Sequence, residues 1–124
     1  MSKPETILIV GGGVAGMTAS AALAQQGFKV TLLESAPQFG EIGAGLTLTP
    51  NAMKGLDFIG ICEEAASVAV EPTRQRIQHW QDGRTLVAMD RSTQREKYGA
   101  PYITVHRADL HGVMTGAAER AGVE

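Results

Sequence analysis

Four consecutive apolar residues, Ile7-Leu8-Ile9-Val10, end abruptly at a cluster of glycines. A short unbroken run of this kind suits a strand covered on both faces, as in parallel sheets. From Val14 to Gln26 the pattern turns helical: Val14, Met17, Ala21 and Ala24 share one stripe, and Gly27 stands just past the helix end. Val30-Thr31-Leu32-Leu33 forms a second β-prone run that closes on Glu34. Strand, helix and strand in so short a span predict a βαβ unit with parallel strands and a right-handed crossover.

Beyond Glu34 the pattern is less regular. Residues 35–40, with Pro37 and Gly40, read as a loop, and Gly43 to Thr49 is glycine-rich and then β-prone. Pro50 fits the first turn of a short helix through Ala52, Leu56 and Ile59, with Gly60 near its end. Arg74 to Trp80 and Arg84 to Met89 read as two strands joined through Asp82-Gly83, a strong hairpin signal, with Trp80 packing the hairpin or meeting a partner domain. Tyr102 to His106 is a further strand candidate. Leu110, Val113, Met114, Ala117 and Ala121 mark one face of a helix that Gly122 stops. Val123-Glu124 then fall where a doubly wound fold would begin its next parallel strand. The fold class is therefore α/β: a Rossmann-like βαβ unit with an inserted hairpin, in an incomplete doubly wound sheet. Two parallel strands make a thin core, so the chain reads as a fragment or as needing a partner to complete its sheet.

Composition narrows the function. A chain of 124 residues supports one domain, and a formal net charge of -2 supplies no basic field to attract nucleic acid or an anionic membrane. Arg74, Arg76, Arg84, Arg91, Arg95 and Lys97 alternate with Asp82, Asp90 and Glu96, as on an ordinary solvated surface. The single cysteine, Cys62, cannot form an intrachain disulfide; it is expected as a buried, inert thiol on a short apolar helix, and the compartment as cytoplasmic. No targeting segment is evident, and the stretch from Ile7 to Leu23 is too short and glycine-broken for a membrane span. No residues have metal-ligand spacing. His79 and His111 lack triad-like partners, and His106 reads as a packing or capping residue, so no catalytic residue is assigned.

The glycine cluster carries the chemistry. Gly11-Gly12-Gly13-Val14-Ala15-Gly16 satisfies G-x-G-x-x-G, follows a predicted strand, opens a predicted helix, and has an acid, Glu34, about twenty residues on. Gly11 would allow the tight turn, Gly13 the approach of a pyrophosphate to bare backbone, and Gly16 close helix–sheet packing. Amides near Val14 and Ala15, with the helix dipole behind them, would hold the phosphates. Glu34 would accept the adenosine ribose hydroxyls and repel a 2′-phosphate, disfavouring NADP here. A P-loop is excluded, since no Gly-Lys-Ser/Thr follows. A purely structural turn with a solvent-facing Glu34 is the competing reading, and the pattern does not separate FAD from NAD.

Two later segments carry a resemblance. Glu41-Ile42-Gly43-Ala44-Gly45-Leu46-Thr47-Leu48-Thr49-Pro50-Asn51-Ala52 and His106-Arg107-Ala108-Asp109-Leu110 resemble segments of the single-component flavoprotein aromatic hydroxylases, typified by salicylate, 3-hydroxybenzoate and 6-hydroxynicotinate hydroxylases. The resemblance implies an FAD-dependent monooxygenase that takes hydride from NADH or NADPH and delivers an oxygen atom from O2 to an aromatic, phenolic-acid-like substrate. It implies FAD contacts from Ala15 (by its backbone), Glu34, Ser35, Thr47 and Arg107. Some relatives place a catalytic histidine where Thr47 stands, and that role does not transfer to threonine. Residues 1–124 correspond to the N-terminal portion of an FAD/NAD(P)-binding domain. The family's later FAD-binding segments and most of its substrate pocket are absent, so the isolated chain is expected to be inactive, to bind FAD weakly if at all, and to associate with itself or with the missing part. The rival readings are another FAD- or NAD-dependent oxidoreductase of the two-dinucleotide family and a non-enzymatic truncated module.

Overall fold

A computed structural model of the chain describes residues 5–36 and 44–124. The expectations for Pro37, Gly40 and the segment Glu41-Ile42-Gly43 lie outside the described residues. In chain order the elements are β1 (Thr6–Val10), α1 (Val14–Gln25), β2 (Lys29–Leu33), β3 (Gly45–Leu48), α2 (Pro50–Phe58), α3 (Cys62–Ser67), β4 (Arg74–Gln78), β5 (Thr85–Asp90), α4 (Gln94–Tyr98), β6 (Ile103–His106) and α5 (Arg107–Arg120).

The βαβ unit is present as its pattern predicts. β1 and β2 run parallel, with Thr6 opposite Lys29 and Val10 opposite Leu33, and Gly27 ends the crossover helix at φ +91°. After α5, Glu124 donates its N–H to the Val30 carbonyl (3.0 Å) and accepts from the Leu32 N–H (2.7 Å). That alternation is the pattern of a parallel ladder. The last residue therefore pairs along the side of β2 that does not face β1.

One expectation about β1 fails. Ile7 and Ile9 on β1 and Val30 and Leu32 on β2 share the half-buried to buried face beside α1, but Leu8 is 59% exposed, Val10 80% and Leu33 50%. The strands are covered on one side only, because none of the described elements packs against the other.

A second pair, β3 with β6, is antiparallel: Gly45 lies opposite His106 and Leu48 opposite Ile103. Alternation along these strands sends Ile103 and Val105 into the core and leaves Thr47, Thr104 and His106 outside. Val70 exchanges both backbone hydrogen bonds with Thr104, closing the other edge of β6.

The core joins this pair to the helices. Met17 and Ala21 of α1, Met53 and Leu56 of α2, Ile103 and Val105 of β6, and Leu110, Val113, Met114 and Ala117 of α5 belong to one buried cluster. Pro50 occupies the first turn of α2, where its missing N–H costs no helical bond. Small buried residues on both partners (Ser20 and Ala21; Ala117 and Ala118) permit the close contact of α1 with α5. Each large apolar side chain buried here contributes about 1.5–3 kcal/mol.

The hairpin β4–β5 forms antiparallel around Gly83 at φ +70°, with the Asp82 carboxylate accepting the Arg84 N–H at 3.1 Å. Trp80 does not pack the hairpin: it is 84% exposed, because it lies in the turn past the end of β4, where no residue stands opposite. Of the basic residues expected on the surface, Arg91 departs, being half-buried with its guanidinium 4.5 Å from the centre of the Tyr102 ring. Arg95 bridges Glu63 and Glu71 at 2.6 Å each; exposed pairs of this kind contribute under about 1 kcal/mol. The short helix α4, closed by Gly99, had no signal in the pattern. Cys62 is buried, but it opens α3 beside Glu63 and Glu64 rather than lying on an apolar helix. Burial pushes its thiol pKa up, and Glu63 and Asp57 add to the effect. No helix among the described residues is long and apolar enough to cross a membrane.

Candidate functional site

The site is built at the C-terminal end of β1. Gly11 turns the chain at φ +102°, a conformation that other residues rarely adopt, and its N–H is fixed to the Leu33 carbonyl at 2.7 Å. This bond ties the bend to the end of β2. Gly16 is required for packing: a Cβ there would stand 1.8 Å from the Gly11 carbonyl oxygen. Gly13 meets the opposite condition, since a Cβ there would meet nothing within 4 Å among the described residues. The bend is tight where helix meets strand and open where a ligand would approach.

Helix α1 begins immediately after Gly13, and its first hydrogen bond runs from the Met17 N–H to the Gly13 carbonyl at 2.9 Å. The amides of Val14, Ala15 and Gly16 therefore have no acceptor within the helix. Among the described residues no side chain caps this end and the first turn carries no acid, so the positive end of the helix suits an anion.

Glu34 sits at the end of β2, against the bend. One carboxylate oxygen accepts the Gly12 N–H at 2.6 Å; the other accepts the Ala36 N–H at 2.8 Å and the Ser35 hydroxyl at 3.3 Å. The amides of Ala36 and then Gly12 hold its pKa below the ordinary carboxylate value, so it is ionised at neutral pH. A carboxylate offers about four lone-pair sites; with three in use here, about one remains available to a ribose hydroxyl.

The other expected contacts are placed unevenly. Ser35 lies within the Glu34 network. Arg107 is the first residue of α5 and half-buried; its N–H donates to the Ala44 carbonyl at 3.0 Å, joining the start of α5 to the chain entering β3. Thr47 lies on the exposed face of β3, opposite Thr104, with no hydrogen bond to the bend. His106 precedes α5, but its side chain makes no capping bond and is exposed, so it neither packs nor caps.

His111, which pattern and spacing gave no role, is in the site. It is 5% exposed, and its Nε2 lies 2.5 Å from the Gly12 carbonyl oxygen. The two residues are 99 positions apart in sequence, so no local signal could have joined them. His111 lies one helical turn after Arg107, and four-residue spacing puts both on one side of α5. The contact between α1 and α5 thus brings the Arg107 end of α5 to the glycine bend.

These residues fit the adenosine diphosphate half of a dinucleotide: an open glycine backbone, helix amides free of helical bonds, and an ionised carboxylate beside them. A groove on the β4–β5 hairpin, lined by Arg74, Arg76, Asp90 and Ser92 among others, belongs to a different sheet and mixes charges of both signs, so it does not compete as the phosphate site.

Over residues 5–124 the chain matches the family model of the FAD binding domain. It is 40% identical over 123 residues to 3-hydroxybenzoate 6-hydroxylase 1 of Aquipseudomonas alcaligenes, covering 96% of this chain and 30% of that enzyme. To 6-hydroxynicotinate 3-monooxygenase of Pseudomonas fluorescens it is 39% identical over 118 residues, covering 94% of this chain and 31% of the relative. Among solved structures, the tetrameric form of 2-methyl-3-hydroxypyridine-5-carboxylic acid oxygenase superposes with a TM-score of 0.86 at 25% identity, covering 99% of this chain and 31% of the other. The chain therefore spans under a third of the length of these relatives. With the glycine bend, the parallel βαβ unit and a family match from Glu5 to its last residue, this chain belongs to the FAD binding domain family.

Proposed function

We propose that this chain holds the adenosine diphosphate half of FAD, as the N-terminal FAD-binding part of a monooxygenase that hydroxylates an aromatic, phenolic-acid-like substrate using NADH or NADPH and O2. The observation that carries the reading is the bend itself, where Gly13 leaves open space next to three helix amides and Glu34 is already ionised beside it. The amides of Val14, Ala15 and Gly16 would bind the pyrophosphate, and Glu34, supported by Ser35, would orient the adenosine ribose. Arg107 would add a cation on the phosphate side, and Thr47 would contact the cofactor from the exposed face of β3. When bound, FAD supplies the redox and oxygen chemistry, while the protein orients it and excludes water. The relatives' names, hydroxybenzoate and hydroxynicotinate hydroxylases, support an aromatic acid as substrate.

Titrating the 15N-labelled chain with ADP and with FAD tests the reading. Amide shifts should concentrate at residues 11–16 and 34–36, with FAD moving the same set as ADP. Shifts confined to the β4–β5 hairpin, or none at millimolar ligand, would refute it. NAD moving the bend amides while FAD left them still would favour a purely NAD-dependent oxidoreductase.

A further inference from the structure

The geometry points to His111 as a positioning residue for the pyrophosphate: from beneath the bend it fixes the direction of the Gly12–Gly13 peptide, so that the Gly13 N–H faces the ligand. This inference rests on the nucleotide reading above and assigns one more residue to it. The carbonyl oxygen of Gly12 can only accept, so a 2.5 Å contact requires the proton on Nε2 of His111. Its Nδ1 lies 3.4 Å from the oxygen of the Thr115 hydroxyl, whose single proton is donated to the His111 carbonyl at 2.9 Å. The imidazole is thus held at Nε2 between α5 and the bend, in a buried position.

The consequence follows from peptide geometry. A trans peptide is planar, with its C=O and N–H pointing in opposite directions. When the Gly12 carbonyl is held toward α5, the Gly13 N–H must point away from α5. On the other side of Gly12, its own N–H is held by Glu34. Gly12 is therefore gripped at both its N–H and its C=O, and one residue links the ribose acceptor to the phosphate donors. Flanking glycines have wide backbone freedom, and without the imidazole donor this peptide can rotate and withdraw its N–H. The donor also polarises the amide, strengthening the N–H on the far side.

The test compares the chain with two variants, His111→Gln, which keeps a donor near the position of Nε2, and His111→Leu, which keeps bulk without a donor. Each is titrated with ADP and with adenosine by amide shift perturbation, and long-range 15N correlation on the unsubstituted chain reads which ring nitrogen carries the proton. We expect H111L to bind ADP about tenfold more weakly, H111Q to bind it within about twofold of the unsubstituted chain, and adenosine to bind all three alike. An Nε2-protonated ring supports the inference independently of whether H111L folds. The inference is overturned by an Nδ1-only proton, by H111L binding ADP unchanged, by H111Q as weak as H111L, or by adenosine affinity falling in parallel with ADP. An unsubstituted chain that bound neither ligand would remove the nucleotide reading, and this inference with it. Binding of ADP that ignores His111 would remove this inference alone.

Discussion

Replacing Gly16 by alanine should destabilise the fold, although alanine is the better helix former. A Cβ at this position lands 1.8 Å from the Gly11 carbonyl oxygen and 3.0 Å from its carbon. Ordinary contact needs roughly 3.5 Å, so the two segments must separate by well over an ångström. Backbone cannot swing aside as a side chain can. Gly11 is held by its bond to Leu33 and by its positive φ, so the strain spreads into the joint between α1 and β1. Overpacking of this kind costs about 3 kcal/mol, against which the helix preference for alanine returns about 1 kcal/mol. A net loss of about 2 kcal/mol corresponds to a fall in Tm of roughly 10 °C for a domain of this size. Thermal and urea unfolding followed by circular dichroism would measure it. Gly13→Ala is the control, since its φ of −72° suits alanine and nothing stands within 4 Å. It should lose under about 1 kcal/mol, mainly from the poorer N-cap, while ADP binding falls at least tenfold because the new methyl occupies the ligand's approach. A Gly16→Ala variant as stable as the unsubstituted chain would refute the close approach. The opposite ordering of the two variants would refute the division of labour between the glycines.

Other outcomes follow from the same structure. Glu34→Gln should weaken ADP and adenosine together, in contrast to the His111 variants, and calorimetry would show it. Because the folded pKa of Glu34 is lowered, its contribution to stability is fully present above the ordinary carboxylate value of about 4.3 and is lost as pH falls through the lowered folded value; acid unfolding of Glu34→Gln should therefore show a shallower loss in that window. The bare face of β1 and β2 should drive association, and Leu8→Lys with Leu33→Lys should lower the mass measured by sedimentation; a monomeric unsubstituted chain would count against it. With NADH, oxygen and a panel of phenolic acids, the isolated chain should form no product, since it spans under a third of its relatives' length, and any hydroxylated product would overturn that expectation.

Local backbone demands were legible in the sequence. The order of strand, glycine bend, helix, strand and acid is set by periodicity and by conformations only glycine adopts, so the parallel unit, the tight turn at Gly11 and the packing task of Gly16 could be read from residues 7–34. The hairpin at Asp82-Gly83 and the α5 stripe ending at Gly122 were legible for the same reason, because turn chemistry and helical spacing act over a few residues. Trp80 and the outer face of β1 were not, since an apolar side chain declares a preference for burial without saying what will cover it. His111 shows the limit most clearly. Its role depends on α5 lying against α1, a contact made by small residues on both helices and enforced by the shared core. Only after that packing does a helix that begins at Arg107 place an imidazole against the carbonyl of a glycine near the other end of the chain. Spacing determined which residues could form the bend, and packing between distant helices determined what holds it in shape.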